Sequence, residues 1–145
     1  MNKVRSTLII LAIFGVCISG YAVYLHYAPS SGVCHFNRTF DCDLVNKSDY
    51  AEILGIPVAA FGVIGYGVLW AGAVLSEKKR SYALLTLFAS IGGFLFALYL
   101  TGLEIFVINA YCIVCLASQL VILVMVILSF LLVRQHKAPQ TNLNP

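Results

Sequence analysis

Charge is scarce in this chain. Nine Lys and Arg and six Asp and Glu make up 10% of 145 residues, against about 25% in an average soluble domain. That scarcity excludes an ordinary cytosolic enzyme, and it excludes a disordered chain, which couples low hydrophobicity to high charge. The basic residues form no stripe that could follow a phosphate backbone, so a nucleic-acid partner is not expected. Strict apolar–polar alternation is missing too, which argues against a membrane β-barrel. What is abundant is apolar: 61% hydrophobic residues and a mean hydropathy of +0.93. The length suits a single domain.

The apolar residues are gathered in four uncharged stretches, at about 6–27, 55–76, 81–103 and 105–133. A helix needs about 20 apolar residues to cross the hydrocarbon core, so each stretch can span. The fold class expected is all-α: an integral membrane four-helix bundle forming one domain over residues 1–137. The tail 138–145 is polar and reads as disordered. The first stretch has a basic start, but it is too long for a signal-peptide core and lacks a clear small-residue cleavage site.

Orientation follows from Lys and Arg. With four spans, Lys3, Arg5, Lys78, Lys79, Arg80, Arg134 and Lys137 share one side, and only Arg38 and Lys47 lie on the other. Both termini are therefore expected in the cytoplasm, with the loop 28–54 outside. Ser30, Ser31 and Gly32 read as turn material after Pro29. Residues 48–54 read as a short interfacial helix capped by Ser48, which Gly55, Ile56 and Pro57 end before the second span.

Five cysteines are distributed unevenly. Cys34 and Cys42 lie in the outer loop, Cys112 and Cys115 form Cys-Ile-Val-Cys at the start of the last span, and Cys17 is alone in the first. Cys115 to Val133 is 18 steps, or ~27 Å at helical rise, which places Cys115 just inside the outer boundary and Cys112 about one turn higher. Positions i and i+3 share a helix side. A cysteine at a helix N-terminus has its thiolate stabilised by free N–H groups and the dipole, and the thiolate is the species that attacks disulfides. Disulfides persist in an outward, oxidising compartment. The arrangement suits a redox relay, so the candidate catalytic residues are Cys34, Cys42, Cys112 and Cys115.

Other readings of the same residues remain open at this point. Four cysteines could hold structural zinc or form two structural disulfides, although neither needs access from the lipid; no metal site is assigned. Cys17 reads as an inert buried thiol, His35 as a solvated loop residue and Glu104 as an interfacial carboxylate. Tyr99, Phe106 and Tyr111 read as an aromatic belt.

The order of these motifs is distinctive. A Cys-x7-Cys loop pair, a serine six positions on (Ser48), Gly55-Ile56-Pro57 with Phe61-Gly62 heading a span, and Cys112-Ile-Val-Cys115 opening the last span resemble the vitamin K epoxide reductase family in its stand-alone bacterial form. DsbB-type oxidases carry the two pairs in the opposite order. The resemblance implies a four-helix bundle with a quinone, ubiquinone or menaquinone, near Cys115, and Ser48, Phe61 and Tyr66 as further pocket residues. It also implies oxidation of a separate DsbA-like or thioredoxin-like protein on the outer face of a bacterial inner membrane. Cys34 is expected to be the loop cysteine that shuttles inward. Animal members reduce vitamin K epoxide and carry a tyrosine and an asparagine where this chain has Gln119 and Val58, so a plain quinone is expected here rather than an epoxide. The remaining alternatives are an epoxide reductase proper and a non-enzymatic membrane protein stapled by disulfides.

Overall fold

The computed structural model describes residues 3–29, 35–37 and 39–137. Four long helices dominate: α1 (Lys3–Tyr27), α3 (Val58–Leu75), α4 (Arg80–Leu103) and α5 (Ile113–Lys137). Each belongs to a segment long and apolar enough to cross a membrane. Many of their large apolar side chains face outward, Ile64, Phe88 and Leu95 among them. A helix that is apolar on all sides suits a lipid surround. The protein is an all-α membrane bundle.

α1 packs against α3 and α5, and α4 packs against the same two. The helices therefore alternate around the bundle, with α1 and α4 on the diagonal. One core cluster centres on Leu8, Ala12, Leu69, Ala73, Ile122 and Met125. Small residues let the helices approach, as is usual where lipid supplies no hydrophobic drive. At Gly15 an added Cβ would lie 2.3 Å from the Tyr66 ring, and at Gly72 it would lie 2.4 Å from the Thr86 hydroxyl. Arg5 pairs with Glu77 at 2.6 Å, which ties the start of α1 to the α3–α4 turn.

Several boundaries differ from the sequence expectation. The second span begins at Val58, not 55, because Glu52–Ile53 (β3) and Ile56–Pro57 (β4) pair as a small hairpin. Leu54 and Gly55 turn it, both at positive φ, as a tight hairpin requires. The short helix expected at 48–54 is instead α2 (Cys42–Asn46), followed by a 3-10 turn at Asp49–Ala51. Asp41 caps α2 by accepting from the Leu44 N–H. Ser48 precedes the 3-10 turn, but its hydroxyl donates back to the Val45 carbonyl at 2.8 Å and does not cap.

The largest difference lies between the last two spans. The break does not fall at Glu104. The chain continues through a π-helical turn, Glu104–Ile108, ends at Asn109 in the left-handed region, and restarts as α5 at Ile113. Residues 105–111 carry no charge, so hydropathy had no means of marking the turn; Asn tolerates the left-handed conformation that stops the helix.

Two short strands complete the loop, His35–Asn37 (β1) and Phe40–Asp41 (β2), paired antiparallel. Cys34, the 30–32 turn and the 138–145 tail lie outside the described residues.

Candidate active site

The loop is fastened to the linker that precedes α5. The Asp41 N–H donates to the Tyr111 carbonyl at 3.2 Å, and the Tyr111 N–H donates to the Thr39 carbonyl at 2.8 Å. The Phe40 and Tyr111 rings sit over this bridge, 5.8 Å apart. One residue beyond Asp41 is Cys42, and one beyond Tyr111 is Cys112. The bridge thus brings the two together: Leu25, Cys42, Val45, Ala110 and Cys112 form one buried cluster, with Cys115 packed against it.

Cys42 is disulfide-bonded, whereas Cys112 and Cys115 are free thiols. Cys112 sits immediately before α5 and behaves as its cap. Its carbonyl accepts from the Leu116 N–H at 3.0 Å, and its sulfur accepts from the Cys115 N–H at 3.4 Å. Side-chain capping of this kind satisfies an otherwise orphaned helix donor. Asn46, one turn after Cys42, donates its side-chain N–H to the Cys42 carbonyl at 2.9 Å and toward the Cys112 sulfur at 3.7 Å. The Cys115 thiol's hydrogen bond pulls the Cys112 pKa below the ordinary thiol value. Burial opposes this, the Cys115 and Val114 N–H groups help, and the charge of Glu104 opposes.

Below the cysteines lies a cavity of about 340 Å³, within the range of small-molecule sites. Its lining is mostly apolar. Cys115, Ser48, Phe61 and Tyr66 all border it, so the chain brings the expected pocket residues to one space. Tyr66 is fixed there by donating to the Ser118 carbonyl at 2.9 Å. Phe61 and Val68 of α3 and Phe96 of α4 border the cavity and are also exposed, so it reaches the outer surface between those helices.

A family model described as the Vitamin K epoxide reductase family matches residues 6–130. The chain belongs to that family. Its members are oxidoreductases, and in this chain Cys42 and Cys112 share a buried cluster while Cys115 borders the cavity.

The structure also assigns places that the sequence reading missed or misread. Glu104 is turned into the protein: it is 2% exposed, it accepts from the Cys112 N–H at 3.2 Å, and it borders the cavity. The π turn swings it inward. Its isolation in an apolar run was the available signal, since an acid inside a span marks function by default. Cys17 is exposed on the bundle surface rather than buried, because α1 turns that face away from its neighbours. Tyr99 and Phe106 are exposed, whereas Tyr111 is half-buried in the bridge to Phe40. His26 was not singled out, yet it borders the cavity. It donates from Nδ1 to the Asn46 carbonyl at 2.5 Å, and its Nε2 lies 2.9 Å from Glu52 Oε1. Asn46 was missed because its role depends on the α2 turn. Val58 borders the cavity, whereas Gln119 accepts a hydrogen bond from Thr101 and is not among the lining residues.

Proposed function

We propose that this protein is a disulfide-generating membrane oxidoreductase, which oxidises a DsbA-like or thioredoxin-like partner and passes two electrons to a membrane quinone, ubiquinone or menaquinone. The observation that carries the reading is the position of the Cys112–Cys115 pair. One sulfur lies in a buried cluster with loop Cys42, and the other borders an apolar cavity that reaches the bundle surface between α3 and α4.

The relay runs by thiol–disulfide exchange. A partner thiolate attacks a Cys34–Cys42 disulfide, and the partner leaves oxidised. The freed Cys42 thiolate attacks Cys112, so the Cys112–Cys115 bond breaks, a Cys42–Cys112 bond forms and Cys115 leaves with the electron pair. Cys34 then closes on Cys42 and releases Cys112. Cys34, the inward shuttle expected from the resemblance, lies outside the described residues; this reading gives that role to Cys42, which shares the buried cluster with Cys112.

The cavity's chemistry fits a quinone. Phe61, Tyr66 and Val58 offer apolar and aromatic surface, and the Ser118 hydroxyl is a polar group at the wall. A bound quinone supplies a two-electron, two-proton oxidant. Val58, which borders the cavity where animal members carry an asparagine, favours a plain quinone over an epoxide. The basic residues grouped around the Arg5–Glu77 end support a cytoplasmic position for that end and for both termini, with the cysteines facing the periplasm or exterior of a bacterial inner membrane.

The test is a purified system with reduced DsbA-like protein and a soluble ubiquinone analogue. One quinol should form per partner dithiol oxidised, and Cys115→Ser should reduce the rate to background. Turnover of vitamin K epoxide with a dithiol, without partner oxidation, would support an epoxide reductase instead. Quinone reduction that persists in Cys115→Ser would refute the relay.

A further inference from the structure

Glu104 is the only acidic residue within the four spans, and the relay described above gives it no task. A carboxyl group held away from water is costly unless it is partnered. It accepts from the Cys112 N–H at 3.2 Å, and it shares the cavity wall with Cys115. The other titratable groups bordering the cavity are His26 of α1, Tyr50 of the loop and Tyr66 of α3. Each is engaged elsewhere or is exposed: His26 with Asn46 and Glu52, Tyr66 with Ser118, and Tyr50 at the surface.

The reduced pair poses a proton problem. The Cys112 sulfur accepts from the Cys115 N–H and the Asn46 amide, which favours the thiolate there. Cys115 faces the cavity as a free thiol. Oxidation of the pair needs its proton removed in a space with few polar groups. We propose that Glu104 is the general base for Cys115, taking its thiol proton as the sulfur gives up electrons and then passing that proton to the oxidant in the cavity.

The step balances. The Cys112 thiolate and the Cys115 thiol become the Cys112–Cys115 disulfide and lose two electrons and one proton; the quinone class of oxidant takes both electrons, that proton by way of Glu104, and from water the proton that Cys112 gave up on ionising. This inference rests on the function proposed above, but its first test does not.

In detergent-purified, quinone-free, reduced protein, Cys115 is alkylated with N-ethylmaleimide and the modification is followed by mass spectrometry across pH. Glu104→Gln keeps an acceptor for the Cys112 N–H but cannot take a proton. With Gln, Cys115 alkylation should slow by about tenfold and lose its acid limb, and Glu104→Asp should restore part of the rate. If the carboxylate merely repels the neighbouring thiolate, Glu104→Gln should alkylate at an equal or faster rate, and that result overturns the proposal. In turnover, Glu104→Gln should lower kcat by about a hundredfold with KM for quinone unchanged. Failure of the wild type to reduce quinone would defeat the proposed function while leaving the alkylation result standing.

Discussion

The two ends of the bundle are built differently. Toward the Arg5–Glu77 end, α1, α3, α4 and α5 meet through a continuous apolar core and small residues such as Gly72 and Ala83. Toward the loop, the packing opens into a cavity, helix α4 unwinds through a π turn, and polar groups gather: Asn46, His26, Glu104 and the cysteines. The first end holds the helices in register. The second uses that rigidity to keep reactive sulfurs and a buried carboxyl group in place. Irregular backbone at membrane depth is tolerated where it is buried in protein or lines a cavity, and here it lines one.

This contrast makes a separable prediction for each end. The largest effect belongs to the loop end: Cys115→Ser should abolish quinone reduction while leaving thermal stability within about 0.5–3 kcal/mol, the usual scale of a single substitution. The reverse should hold where α1 meets α3. Gly15→Ala places a Cβ 2.3 Å from the Tyr66 ring, and such overpacking costs about 1–3 kcal/mol, visible as a lower unfolding temperature in detergent. Tyr66 belongs to both regions, since it packs in the core and borders the cavity. Tyr66→Phe should lose about 1 kcal/mol for its hydrogen bond and should also raise KM for the quinone.

A subtler effect concerns Cys112. Its lowered pKa means that more of it is thiolate at neutral pH, so alkylation of the reduced pair at Cys112 should persist below the pH at which an ordinary thiol stops reacting. Cys115→Ala removes the largest stabilising hydrogen bond and should move that profile back up in pH. The smallest change is expected at the rim: Glu52→Gln breaks a half-exposed pairing with His26 and should cost no more than about 1 kcal/mol.

Much of this was legible in the amino-acid sequence. Four uncharged runs announce four helices because a bilayer permits little else, and Cys112 and Cys115 are placed by counting back from Val133. The loop was harder. Nothing in its composition says that Thr39–Asp41 will hydrogen-bond to Tyr111, yet that bridge is what brings Cys42 to Cys112. The inward turn of Glu104 was missed for a related reason. Hydropathy places a residue along the membrane normal but not around the helix, and the π turn changes that angle. Asn46 and His26 became recognisable only once α2 had set their neighbours.

The relay from loop to cavity is tested most directly by trapping its middle step. In Cys115→Ala the Cys112 thiolate keeps its place beside Cys42 but has no second sulfur to close upon. It should attack the Cys34–Cys42 disulfide, release Cys34 and accumulate as a Cys42–Cys112 bond. Peptide mapping under non-reducing conditions should recover that cross-linked pair as the main species. Recovery of a Cys34–Cys112 link, or of a free Cys112 beside an intact loop disulfide, would contradict the relay.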